Sequence, residues 1–201
     1  MARYERKDHF HQRAKREGFR SRAAYKLAEI QRAERLLAAG QRVVDLGCWP
    51  GGWLQVAAGV VGPSGRVVGI DLAAVDPPLL NENVIALVGD LSHAPVLETA
   101  FEALSGPADV VLCDAAPKLT GVRAVDRAAE EALLASVEAV LPRLLRPGGA
   151  LLLKILDGPE AQAVERRIRS RFERAKALRP RASRKGTRER YLLARGYRGD
   201  A

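Results

Sequence analysis

Four aspartates each follow an apolar run: Asp45 after RVV, Asp71 after VVGI, Asp90 after ALVG and Asp114 after VVLC. A carboxylate where a buried strand ends accepts hydrogen bonds from a polar ligand lying across the strand ends. Between the first two lies DLGCWPGGWLQVA, where Gly47, Gly51 and Gly52 let the backbone come close to such a ligand. Asp71 ends its run at about the 20-residue distance at which an acid meets a ribose diol. Asp90 is placed to accept from the exocyclic amine of adenine. One aspartate alone would serve equally well as a helix cap or turn former. Four in succession, each after a strand-like run, argue for a nucleoside site.

The loop also restricts which nucleoside ligand is held. A dinucleotide fingerprint laid on it runs Gly47-Cys48-Trp49-Pro50-Gly51-Gly52, with Trp49 at the glycine that lets a pyrophosphate approach. Pro50 removes one more N–H from an anion. The loop therefore argues against a pyrophosphate, and a nicotinamide-dependent dehydrogenase is left as the weakest alternative. An adenosine ligand without phosphate fits better, and S-adenosylmethionine (SAM) is the common one.

The elements that position these residues alternate between strand and helix. RVVDL (42–46), RVVGIDL (66–72), NVIALVGD (83–90), ADVVLCD (108–114) and ALLLKIL (150–156) read as strands. Helices are expected over 53–61, 95–105, 125–145 and 160–172, the third stopped by Arg146-Pro147-Gly148-Gly149. KALRP and ERYLLAR read as short closing strands. Ser21 is a suitable N-cap for a helix through SRAAYKLAEIQRAERLL, with Ala24, Leu27, Ile30, Ala33 and Leu37 on one face. Residues 1–20 alternate charges without periodicity and read as a loose basic arm, leaving 21–201 as a single domain. Such alternation predicts a doubly wound, mostly parallel α/β sheet with helices on both faces.

Charge is unevenly distributed. Residues 1–35 carry eleven Lys/Arg against five Asp/Glu, and 166–201 carry fourteen against three, whereas 36–165 carry eight against sixteen. Basic ends around an acidic middle point to a polyanionic partner held by the termini. No run of 18 apolar residues marks a membrane span, and the charged N-terminus is no secretory signal, so a cytoplasmic protein is expected. Cys48 and Cys113 read as small buried thiols. His9, His11 and His93 have no ligand spacing, and no metal is expected.

Several motifs together carry a family resemblance over nearly the whole chain: SRAAYKL (21–27), DLGCWPGGW (45–53), VVGIDL (67–72), GDL (89–91), CDAAPKLTG (113–121), RPGGALLLKIL (146–156) and SRKGTRERYLLAR (183–195). With these the chain resembles the FtsJ/RlmE family of SAM-dependent ribosomal RNA ribose 2′-O-methyltransferases. The resemblance implies a Rossmann-like class I methyltransferase sheet of seven strands, the last antiparallel. It implies a Lys-Asp-Lys-Glu catalytic set, matched here by Lys26, Asp114, Lys154 and Glu189. It also implies cofactor contacts by Gly51, Trp53, Asp71, Asp90 and Asp114, to which the loop glycines Gly47 and Gly52 are added. The family usually has small residues where this chain has Cys48-Trp49, and Lys118 and Thr120 replace its usual Asn and Ser. Trp49 either walls the pocket mouth or packs under the loop.

Methyl transfer to a ribose hydroxyl needs alignment and a base for the hydroxyl proton. Lys154, a cation inside the apolar run LLLKILD, is the expected base. Burial and the second cation Lys26 favour a neutral amine, and Asp114 opposes it, so Asp114 is expected to orient the amine and substrate. Glu189 is expected to bond the lysine or the ribose. Phosphates fall to Arg13, Lys15, Arg16, Arg20 and Arg22 at one end and Arg181, Arg184, Lys185 and Arg188 at the other. They would position the strand without reading its bases. The expected substrate is a uridine of large-subunit ribosomal RNA in the peptidyl-transferase region, free or in an assembled particle, acted on by a monomer. Alternatives are transfer RNA as substrate, or a catalytically silent RNA-binding assembly factor.

Overall fold

A computed structural model describes residues 9–117, 120–156, 159–183, 186–187 and 189–199. In chain order its elements are α1 (His9–Arg16), α2 (Ala24–Glu34), β1 (Arg42–Leu46), α3 (Gly52–Val61), β2 (Arg66–Asp71), β3 (Val84–Val88) and α4 (Ala94–Leu104). There follow β4 (Ala108–Cys113), α5 (Arg123–Leu144), β5 (Leu145–Leu156), α6 (Pro159–Ser170), β6 (Phe172–Leu178) and β7 (Glu189–Tyr197). β1 is buried after Arg42 and β2 from Val67 to Ile70, as β-branched runs covered on both faces should be.

The strands form one sheet in the order β3-β2-β1-β4-β5-β7-β6. β7 runs antiparallel to both its neighbours, and every other pairing is parallel. α2 and α3 cover one face through Leu27, Ile30, Trp53, Leu54 and Val61. α4, α5 and α6 cover the other through Leu97, Leu104, Leu134, Leu141, Val164 and Ile168. The expected mostly parallel α/β sheet with an antiparallel last strand is what is found. Among the described residues no helix is long and apolar enough to cross a membrane.

Three local expectations are corrected. The described part of the expected loose arm contains α1, whose Ala14 is buried. Its packing is aromatic: the rings of Phe10 and Phe19 lie 5.7 and 5.4 Å from Tyr25, and the Arg13 guanidinium lies 5.0 Å over that ring. So short a helix depends on such tertiary contacts, which an apolar periodicity does not reveal. Ser21 is no cap, since α2 starts at Ala24 with Ala23 at the N-cap and no side-chain cap bond. Packing against Gly52 takes precedence there, because the Ser21 hydroxyl fills the space a Cβ on Gly52 would need. Arg146-Pro147-Gly148-Gly149 ends α5 as expected, yet lies within β5. Leu145 pairs with Ala108 and Ala150 with Val110, so the intervening residues form a bulge.

The chain order reverses where β1 and β4 lie side by side, with β2 and β3 beyond one and β5 beyond the other. A crevice opens at such a point beyond the carboxyl ends of the strands.

Candidate active site

The parallel strands deliver Gly47, Asp71, Asp90, Asp114 and Lys154 to this one edge. β7 contributes from the opposite direction: Leu156 pairs with Glu189 and Lys154 with Tyr191, so the start of β7 meets the end of β5. α2 supplies Lys26, which is buried.

These residues form one connected cluster. Lys154 Nζ donates to the Asp114 backbone carbonyl and lies 3.3 Å from Asp114 Oδ1. Lys26 Nζ pairs with Glu189 Oε1 at 2.8 Å and lies 3.7 Å from Asp114 Oδ1. The structure thus gathers Lys26, Asp114, Lys154 and Glu189. Burial works against the Glu189 charge, but the Lys26 ammonium outweighs it and holds the carboxyl below the usual range.

Sequence reasoning missed the group at the centre. The Tyr191 hydroxyl donates to Asp114 Oδ1 at 2.6 Å and accepts from Lys26 Nζ at 3.0 Å. Burial, then the charges of Asp114 and Glu189, push the phenol up, so it stays a donor. The two-residue spacing of Glu189 and Tyr191 on a strand puts them on one face, which was the available signal. Glu130 was missed as well. It is buried on α5, and its Oε1 accepts from the Leu156 N–H at 2.8 Å, fixing the end of the strand that carries Lys154. Glu130, Leu134, Val137 and Leu141 share helical spacing, so an acid on an apolar face was legible.

Beside the cluster is a cleft of about 550 Å³ lined by Gly47, Trp49, Asp71, Leu72, Asp90 and Asp114, among others. Asp71 Oδ2 accepts from the Trp49 N–H and Oδ1 from the Ala73 N–H, each at 2.9 Å. A carboxylate oxygen has a second lone pair, so both oxygens can still accept from a diol. Asp90 is exposed, and its Oδ1 accepts from the backbone and side chain of Ser92. The Ser92 N–H and then its hydroxyl hold the Asp90 carboxyl below the usual range.

The first loop is built by close packing. At Gly47 the backbone is left-handed, and a Cβ would collide with Ala115 after β4. Gly51 and Gly52 are buried against Arg20, Val75 and Leu79, and against Ser21, respectively. Trp53 is buried behind the cluster, 5.9 Å from the Tyr191 ring, with its indole N–H on the Ala23 carbonyl at 2.8 Å. Gly51, Gly52 and Trp53 are buried and are not among the residues that line this cleft. Trp49 is 59% exposed on the cleft wall, which selects the pocket-mouth alternative over packing under the loop. Burial pushes the Cys113 thiol up to about 12, as expected of a packing group.

Asp45 is 1% exposed, and neither carboxylate oxygen has a hydrogen-bond partner among the described residues. Burial, then the charges of Asp114 and Asp71, push its carboxyl well above the usual range. The Asp71 carboxylate in the cleft and a loop with few N–H groups for a phosphate fit an adenosine compound such as SAM.

The basic residues divide. Lys15 and Arg16 are exposed on α1, and Arg181 is exposed while its N–H bonds Glu29 Oε1 at 2.9 Å. Arg13 pairs with Glu17 at 2.7 Å, and Arg22 donates to the Ala182 carbonyl and lies 5.4 Å over the Phe10 ring. Arg20 donates to the carbonyls of Pro50 and Pro78. Arg184, Lys185 and Arg188, like Lys118, lie outside the described residues.

Comparison with known proteins gives the family and the fold. The model of the FtsJ-like methyltransferase family matches residues 19–197. A ribosomal RNA large subunit methyltransferase E of Acidithiobacillus ferrooxidans is 42% identical over 195 residues, covering 97% of this chain and 88% of its own. A Plasmodium falciparum structure described as a candidate ribosomal RNA methyltransferase superposes with a TM-score of 0.77 at 26% identity, covering 90% of this chain and 100% of that one. The fibrillarin of Aeropyrum pernix, solved with S-adenosyl-L-methionine, shares the fold at a TM-score of 0.62 and 19% identity, covering 87% and 74%. With its sheet order, its strand-end aspartates and a family match across nearly its whole length, the chain belongs to the FtsJ-like methyltransferases.

Proposed function

We propose that this chain transfers a methyl group from SAM to a ribose 2′-hydroxyl of large-subunit ribosomal RNA, at a uridine, with Lys154 as general base. The observation that carries this reading is the position of Asp114. Its carboxylate lines the cleft, while its backbone and Oδ1 hold Lys154 and the Lys26–Tyr191 pair. Cofactor cleft and base thus share one residue. The substrate class rests on the basic ends of the chain and on relatives named as ribosomal RNA large subunit methyltransferases.

SAM, when bound, supplies a methyl group on a sulfonium, whose electron pair stays on sulfur as an in-line oxygen takes the carbon. Asp71 would accept from its ribose diol and Asp90 from its adenine amine. Lys154, entering the step as the neutral amine, takes the substrate hydroxyl proton on Nζ, which the Asp114 carbonyl aims. Lys26, paired with Glu189, and the Tyr191 hydroxyl hold the Asp114 carboxylate in place. The exposed Lys15, Arg16 and Arg181 hold phosphates of the strand, and the target nucleotide must leave its stack to reach Lys154.

The test is incubation of methyl-labelled SAM with large ribosomal subunits, free large-subunit RNA and transfer RNA. Ribose methylation is then mapped by resistance to alkaline cleavage. Label on one ribose of large-subunit RNA is expected. Label confined to transfer RNA or to a base would replace the substrate assignment, and no label on any of the three would leave a silent RNA-binding factor.

A further inference from the structure

By type and position Arg20 belongs with the phosphate-binding cations, but its side chain is committed inside the fold. Nη1 donates to the Pro50 carbonyl at 3.4 Å and Nη2 to the Pro78 carbonyl at 3.1 Å. Pro50 belongs to the loop between β1 and α3, and Pro78 to the segment between β2 and β3. These two segments supply Gly47 and Trp49, and Leu72 and Ala73, to the walls of the cleft.

The packing repeats the hydrogen bonding. A Cβ placed on Gly51 would lie 3.0 Å from Arg20 Cδ, 3.1 Å from Val75 Cγ1 and 3.3 Å from Leu79 Cδ1. The aliphatic stem of Arg20 and the second segment therefore close on the same backbone point. Within the cleft, the Trp49 N–H to Asp71 Oδ2 bond ties the first loop to the end of β2 at 2.9 Å. The segment carrying Arg20 is itself anchored to α3: its N–H donates to Gln55 Oε1 at 2.8 Å, and Gln55 Nε2 donates to the Gly18 carbonyl at 3.0 Å.

We propose that Arg20 is a positioning residue for the cofactor, a brace that sets the separation of the two loops walling the cleft, and that it is not a phosphate contact. This rests on the methyltransferase reading for the identity of the ligand, though not for the brace itself. A guanidinium presents a planar fork that serves two carbonyls at once, and a lysine ammonium on a flexible stem does not reproduce it. Arg20→Lys keeps the charge and most of the stem packed on Gly51, so it separates the fork from both.

The experiment uses the full chain and the variants Arg20→Ala and Arg20→Lys, with Lys15→Ala/Arg16→Ala as the phosphate comparison. S-adenosylhomocysteine affinity is measured by calorimetry, RNA affinity by filter retention, and amide exchange over residues 47–52 and 72–80 by mass spectrometry. Losing two charge-assisted bonds is expected to weaken S-adenosylhomocysteine binding about tenfold in Arg20→Ala. The KM for SAM should rise with kcat kept at saturation, exchange should quicken in both loops, and Arg20→Lys should recover only part. RNA affinity should stay within about twofold, and fall clearly in the Lys15/Arg16 variant. RNA binding lost with S-adenosylhomocysteine binding unchanged, or exchange unaltered in both loops, would overturn the brace. Failure of the parent chain to bind S-adenosylhomocysteine would count against the methyltransferase reading instead, since the exchange measurement needs no ligand.

Discussion

The Tyr191 hydroxyl donates to Asp114 Oδ1 at 2.6 Å while the same oxygen accepts from Lys26, so one phenol joins a cation and an anion that lie 3.7 Å apart. Tyr191→Phe keeps the ring against Trp53 and deletes this link alone. A buried bond to a charged partner is worth about 1.5–3 kcal/mol, so kcat should fall about 10- to 100-fold. The KM for SAM should change little. Turnover of Tyr191→Phe equal to the parent in single-turnover assays would show that Lys26 and Asp114 hold their places without it.

Lys154→Ala removes the proposed base while the cleft residues Asp71 and Asp90 stay in place. Methyl transfer should be abolished and SAM binding by calorimetry retained. Near-parental turnover would sink the general-base assignment.

Asp45 links stability to pH. Its carboxyl is raised in the folded state, by burial and then by Asp114 and Asp71, above an ordinary value of 3.8. Its contribution to stability is therefore complete below the ordinary aspartate range and is lost as pH rises through the raised native value. Asp45→Asn cannot ionise and escapes that loss. Without ligand it should be the more stable protein at pH 8, by at least ~1 kcal/mol, with the difference shrinking at low pH. Urea unfolding across pH measures this, and parallel curves for parent and variant would refute it.

Trp49 is exposed on the cleft wall and Trp53 is buried against Tyr191, so the two indoles report on different places. Ligand in the cleft should change Trp49 emission. Trp49→Ala should abolish that change and weaken SAM binding by about 1 kcal/mol, in line with a single aromatic contact. An emission change that survives the substitution would move the ligand away from this wall.

Much of the framework was fixed by local sequence. Apolar β-branched runs of five or six residues, each followed by glycine or aspartate, have few ways to pack other than as covered parallel strands, and so the end of each strand was legible. Gly47, Asp71, Asp90 and Asp114 follow from those ends. Lys154 could be singled out because a cation within LLLKILD contradicts the pattern around it.

Tertiary structure decided what depends on strand direction and on contacts distant in sequence. β7 runs antiparallel, so its first residues, not its last, meet the end of β5; that is why Glu189 and Tyr191 enter the site. Arg20 and Arg22 carry the same charge as Lys15 and Arg16, yet carbonyls at Pro50, Pro78 and Ala182 claim them. A charge in a sequence states what a side chain can bind, and the fold determines whether an internal partner reaches it first. The same holds for Ser21, a cap by type, which packs against Gly52 because two segments thirty residues apart meet there.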